Sequence, residues 1–458
     1  MAWLTAGAGV GFVLLAMTVY SVGLLVDRPY DHFVWQAAAF LEGHVAIRYP
    51  TAENSYFQDV LPTIGSDGVP RGFIPFPPLP AVILLPFVVL GGLTTPDRIV
   101  FIALAAIDVG ICWWLVGRLP VRLAVRVAVT VFFAFGTVFW YTAHVSTTWY
   151  QAHIAAVGLA MLAVGLALGG DRTAFLPAGH DPAADGSLGA VMRNGLRIDR
   201  RQFAAGFLFG LACTARLTVV FAAPFFLLVG GGSSWWRRGW SAGLGALIPV
   251  AALFAFNLVS TGQLFHPAYQ FLYELEARYY PSLGYNADWA IEDPRYLAQN
   301  AGIMLFGTPI LLPDAWPNSL AAVPQPFCVD PGAVRGLFDL SCPLAVPRDV
   351  GMSVLLTSPA LLLVAPAVWA HGRSRLVAGS VLAIVLVAFV NLMHFSQGWV
   401  QFGYRFSNDF VPWAVVLVAL GADRIAGRTV GVAVIAALVV GSVLVNAWGV
   451  AWGGLLGW

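Results

Sequence analysis

Lysine is absent from this chain: all 24 basic residues are arginine, and Asp plus Glu add only 23. Charged residues make up 10% of the 458 positions, whereas a soluble domain carries about 25%. A chain so poor in charge cannot dress a soluble surface. The arginines form no tract of the kind that tracks a phosphate backbone, so no nucleic-acid partner is expected. The net charge of +1 points to no partner class. Only four cysteines are present, with none of the spacings that hold zinc. No metal and no cofactor are expected. Internal repeats are also missing, and many membrane transporters are built from them.

What fills the chain is apolar: 59% of residues are hydrophobic and the mean hydropathy is +0.78. Long apolar runs cover Ala2–Val26, Ile99–Val116, Ala152–Gly169, Trp240–Val259, Ser353–Ala370, Leu376–Leu392 and Thr429–Val445. About 20 apolar residues suffice to cross ~30 Å of hydrocarbon. The expected class is an all-α polytopic membrane protein, a single integral-membrane domain over residues 1–458, whose partner is the lipid bilayer. Ala2–Val26 lacks a positive leader and a small-residue cleavage site, so it reads as an uncleaved first span rather than a secretory signal.

Arginine sets the orientation. With the N-terminus in the cytoplasm, Arg118–Arg126, Asp171–Arg201, Gly231–Gly239, His371–Arg375 and Asp423–Arg428 fall inside and hold fourteen of the 24 arginines. This satisfies the positive-inside rule; the flipped arrangement violates it. Two segments need special treatment. Leu79–Leu93 is short and carries Pro80 and Pro86, so it reads as a helix in the outer leaflet after an extended proline entry. Phe203–Gly231 is too long for one span and is interrupted by Arg216, so two short helices meeting there are expected. The count is then about 11 spans, and the expected location is the plasma membrane.

Four pieces lie outside in this arrangement: Asp27–Arg98, His144–His153, Ser260–Asp349 and His394–Phe410. The connector 171–201 stays inside, so chemistry faces outward. Cys112 and Cys213 fall in apolar helices as packing residues. Cys328 and Cys342 share the long outer loop, where an oxidising exterior permits a disulfide; the alternative is two free thiols.

The stretch "DRPYDHFVWQAAAFLEGH" follows the first run. Asp31 is a suitable N-cap, and Phe33, Val34, Ala37, Phe40 and Leu41 recur at helical spacing. His32 and Gln36 would share the polar side of an interfacial helix. On the plainest reading Asp31 only caps this helix and Asp27 only marks the membrane edge. The wider pattern adds "GFIPFPPLPAVILLPF", "LACTARLTVVFAAPFFLL", "FNLVSTGQLFHPAY" and "QFGYRFSNDFVPWAVVLVAL". This order resembles the bacterial GT-C glycosyltransferases, in particular the branch of protein O-mannosyltransferases and lipid A aminoarabinose transferases.

The resemblance implies a GT-C-like bundle with interfacial helices in the first outer loop. It implies an enzyme that moves a sugar, with inversion, from a polyprenyl-phosphate donor to a glycan, lipid or protein acceptor of the cell envelope. The family's acidic base falls on Asp31, with Asp27 second and His32 where a second acid would stand. The second outer loop lacks the family's further carboxylate, leaving His144 and His153 in its place, or a different acceptor chemistry. Arg216, Arg405 and Arg71 are the candidate cations for the donor phosphate. Gln36, Tyr404 and Asp409 complete the candidate cavity. Each has a plainer reading: Arg216 snorkelling to headgroups, an Arg405–Asp409 helix pair, and Asp108 bonded to a neighbouring helix. A transporter or flippase of a lipid-linked sugar is the rival function.

Overall fold

The computed structural model describes residues 2–458 except 23–29, 49–58, 66, 172, 176–196, 233, 317–318 and 320–324. Asp27 therefore lies outside the described residues, as does most of the 171–201 connector.

Helix dominates, as an apolar medium requires when backbone groups must be satisfied within each segment. Among the described residues five helices are long and apolar enough to cross a membrane: Asp97–Val116, Thr148–Gly170, Trp235–Thr261, Arg375–Met393 and Thr429–Leu456. A sixth crossing arises if Leu123–Phe135 and Phe139–Val145, bent by 46°, count as one. Ala2–Tyr20 is one helix, whereas two other apolar segments break into shorter pieces. Ser353–Ala370 divides into Val354–Thr357, Pro359–Leu363 and Val364–His371, because Pro359 offers no backbone donor. Phe203–Gly231 breaks at Arg216, whose extended backbone (φ −135°, ψ 103°) ends the helix Arg200–Ala215 and precedes a 3₁₀ turn Leu217–Ala222.

Thr148–Gly170 is the most enclosed of the five long helices. Arg200–Ala215 and Trp235–Thr261 approach so closely that side chains must vanish between them. A Cβ on Gly206 would stand 2.0 Å from Ala242 O, and one on Gly245 would stand 2.1 Å from Phe203 O. Gly206 and Gly210 form a small-xxx-small face, the device that lets membrane helices touch backbone to backbone.

The segment before Asp97–Val116 holds more than helices. His32–Leu41 packs on Leu79–Gly91, and between them Ile47–Arg48, Pro70–Phe73 and Leu61–Ile64 form a three-stranded antiparallel sheet with Pro70–Phe73 central. His32 and Gln36 are not on a polar surface, which corrects the amphipathic reading. Both are buried, because the helix is covered on more than its apolar face; His32 bonds Thr148 Oγ1 at 3.0 Å. Nor does the Asp31 side chain cap this helix.

The bundle has two chemically different ends. At one, Arg375 grips Asp171 through two bonds of 3.0 and 3.1 Å. There too Arg122 pairs with Asp423 at 3.1 Å, Arg118 lies over Trp114 and Arg237 donates to Arg197 O. The same long helices run from this arginine-rich end to a large cavity at the other.

Candidate functional site

The cavity has a volume of about 1250 Å³. One wall is apolar: Val250, Leu253, Phe254 and Phe256 come from Trp235–Thr261, and Val220 and Phe221 from the 3₁₀ turn. Val220 and Phe221 remain exposed, so this wall is not sealed. The remaining walls come from segments between the long helices and carry the charge.

Asp59 stands just before the strand Leu61–Ile64. It is buried and receives Trp149 Nε1–H at 2.7 Å. Burial pushes its carboxyl up to about 6, against the Trp149 bond and the Arg405 charge. Glu276 projects from the helix Pro267–Tyr279. It keeps part of its surface exposed at the cavity, yet burial, then the neighbouring Asp59 charge, push it up to about 8, with Arg405 opposing. At neutral pH this arrangement favours an ionised Asp59 beside a proton-bearing Glu276.

Arg405 is the cation these acids feel. Its backbone N–H bonds Gln401 Oε1 at 2.8 Å. Its guanidinium lies 5.2 Å from the Tyr150 ring centre and 5.5 Å from that of Phe406. Gly398, at φ +94°, leaves room for it: a Cβ there would come within 3.0 Å of Arg405 Nε. That Nε is buried without a hydrogen-bond partner.

Arg216 also lines the cavity, but its fork is occupied. Nε and Nη2 reach Asp409 at 3.1 and 2.9 Å. Asp409 further accepts from His153 Nδ1 (2.9 Å), Thr218 Oγ1 (2.8 Å) and Asn391 Nδ2 (3.1 Å). The carboxylate is the acceptor, so the proton of this contact sits on His153 Nδ1. The Arg405–Asp409 pair expected from spacing does not form, because a 3₁₀ turn over Arg405–Asp409 sends the two side chains apart.

A third polar group closes the cavity. An antiparallel bridge sets Glu292 beside His394; His394 Nδ1 is 3.3 Å from Glu292 Oε1 and its Nε2 is 3.1 Å from Tyr269 OH. All three line the cavity.

The structure thus brings Arg216 and Arg405 to the cavity and sets His153, Asp409 and the buried Tyr404 behind it. Asp31 is not among the lining residues, although Tyr30 is; its charge instead bears on the buried Asp97. Gln36 and His144 are buried away from the lining. Arg71 is not among the lining residues; its Nη2 is held by Asp67 (2.8 Å) and His44 (3.2 Å). Asp108 is buried, and neither carboxyl oxygen has a hydrogen-bond partner, contrary to the expected bond to a neighbouring helix. Cys328 and Cys342 form a disulfide. Sequence reasoning passed over Asp59, for which "FQDVLP" gives no signal.

Among the described residues no group of three or more His, Cys, Asp or Glu could hold a metal ion. No protein-family model, curated protein or solved structure matches this chain.

Proposed function

We propose that the chain is a membrane glycosyltransferase of the GT-C kind, moving a sugar from a polyprenyl-phosphate donor to an envelope acceptor with inversion. The observation that carries this reading is the cavity itself. One space joins the apolar wall of a membrane-length helix to two carboxyl groups, Asp59 and Glu276, and to Arg405. The prenyl chain lies against Phe254, Phe256 and Phe221, and the phosphate meets Arg405. Asp59 replaces Asp31 as the base. It takes the acceptor hydroxyl proton as that oxygen attacks the anomeric carbon from the face opposite the phosphate. The bond from carbon to phosphate oxygen breaks, and the leaving phosphate carries its charge to Arg405. Glu276, protonated, donates a hydrogen bond to a substrate oxygen.

In this reading the arginine-rich end is cytoplasmic, the cavity faces outward at the plasma membrane, and the broken apolar segments bring the crossings to about 11. The test is direct. Purified protein is mixed in turn with a panel of polyprenyl-phosphate sugars and candidate acceptors, and free polyprenyl phosphate is measured. Release with one donor is expected. Binding and translocation of a lipid-linked sugar without any release would establish the transporter reading instead.

A further inference from the structure

The disulfide-closed loop in the long outer segment presents apolar side chains that no core takes up. Val334 is 83% exposed, Phe338 52% and Leu337 48%. The loop is nevertheless well held. Gly336 N–H bonds Cys342 O, Leu344 N–H bonds Gly336 O and Cys328 N–H bonds Ser341 O, each at 2.8–2.9 Å. Arg335 Nη1 donates to Pro313 O and Pro343 O at 2.8 and 3.0 Å. A rigid loop that keeps large apolar groups outward needs a reason, since a monomer in water rarely shows such a patch.

Its attachment point supplies one. Trp452 Nε1–H donates to Leu337 O at 3.2 Å, and Trp452 lies in the last turns of Thr429–Leu456. That helix has 28 residues, so it is roughly 42 Å long at ~1.5 Å per residue. It overshoots the ~30 Å of hydrocarbon by about eight residues. Counted from Arg424 and Arg428 at its other end, the hydrocarbon runs out near Trp448. Trp448 and Trp452 then stand at headgroup depth, where tryptophan belongs. Leu337 is bonded at that depth. The helix has exposed apolar residues of its own, Leu444 and Leu455, on either side of Trp452 in sequence.

We propose that residues 328–344 form a disulfide-pinned wedge whose Val334, Leu337 and Phe338 rest in the headgroup–acyl boundary of the outer leaflet. The occupant of this face is lipid, not a protein. Arg335, held by the Pro313 and Pro343 carbonyls and paired with the exposed Asp314 at 3.4 Å, keeps its charge at the wet edge, as interfacial elements require. The inference is independent of the glycosyltransferase reading. It has a consequence for the cavity all the same. Beyond the wedge, Met352 N–H bonds Gly403 O at 3.0 Å, and Gly403 lies two residues before Arg405. A wedge held in the leaflet thereby steadies the segment that carries that arginine.

The full chain is placed in phosphatidylcholine nanodiscs with an environment-sensitive fluorescent amino acid at Phe338, inserted by codon suppression so that the disulfide stays intact. Quenching is compared for nitroxides at shallow and deep acyl positions and for aqueous iodide. The shallow nitroxide is expected to quench most and iodide least. Strong iodide quenching without nitroxide quenching would place the loop in water and overturn the proposal. A second reporter, at Val334, guards against local disturbance. There the companion change Phe338→Glu should abolish lipid quenching, while mass spectrometry still finds Cys328 linked to Cys342. Retained lipid quenching in that variant would equally count against the wedge.

Discussion

A side chain that takes a proton at neutral pH needs a pKa near that range and a place beside the acceptor. Asp59 and Glu276 both have raised proton affinities, Asp59 to about 6 and Glu276 to about 8, and they have them through environment rather than residue type. Their proton affinities carry a stability consequence whose sign is fixed. The folded chain holds these protons more tightly than the unfolded chain, so the stabilisation is complete below the ordinary values of 3.8 and 4.5. It is lost as pH rises to about 6 for Asp59 and about 8 for Glu276. Glu276→Gln removes the wider of the two windows. The thermal midpoint of the wild type should fall between pH ~5 and pH ~8, and that fall should be shallower in the variant. Equal slopes in the two proteins would mean Glu276 is ionised throughout. Catalysis separates Asp59 from Asp31 in the same way. If Asp59 is the base, Asp59→Asn should lower turnover by ~10²–10⁴-fold, while Asp31→Asn leaves it near normal. A steady-state assay with saturating donor decides between them, and the opposite ranking returns the role to Asp31. Asp59 was hard to foresee because its burial depends on Trp149, ninety positions away in sequence, and short-range spacing cannot report such a pairing.

At the scale of elements, legibility followed self-sufficiency. A 20-residue apolar helix satisfies its own backbone and needs no partner to be recognised, so the positions of the long helices could be read directly. The break at Arg216 was equally plain, since a cation in an apolar run disrupts it. Strands of two to four residues, such as Ile47–Arg48 and Leu61–Ile64, exist only through one another and left no trace. Helix contacts fall between these cases. "GFLFG" places Gly206 and Gly210 on one face, but only the structure shows what fills the space. At Gly206 the space belongs to the backbone of Ala242, which cannot move aside as a side chain could. Gly206→Ala should therefore force Arg200–Ala215 and Trp235–Thr261 apart, at a cost of about 1–3 kcal/mol. Gly243→Ala makes the same chemical change with nothing within 4 Å of the new Cβ, and helix propensity favours it. Thermal unfolding in one detergent should rank the variants accordingly. A Gly206→Ala protein as stable as Gly243→Ala would show that this contact is loose.

The whole molecule is polarised, and polarity is what a membrane reads. Asp171 with Arg375, Arg122 with Asp423, and Arg118 on Trp114 gather at the end where Thr148–Gly170 finishes and Arg375–Met393 begins. Asp59, Glu276 and the disulfide belong to segments at the other end. Arginine carries orientation because moving its charge outward during insertion is unfavourable, while acids contribute little. Fourteen of the 24 arginines fall in the short segments assigned to the cytoplasm, so that end should remain inside. Two exposed positions report the ends: Arg373, in the turn before Arg375–Met393, and Gln263, just past Trp235–Thr261. The background is Cys112→Ser with Cys213→Ser, which removes the buried thiols and leaves Cys328 and Cys342 bonded. On intact cells, a membrane-impermeant maleimide should label Gln263→Cys and spare Arg373→Cys until the cells are permeabilised. The reverse pattern would place the cavity in the cytoplasm, out of reach of any acceptor beyond the membrane. Labelling of both positions on intact cells would mean that the two ends do not face opposite sides, and that the long helices between them do not span the membrane as their length suggests.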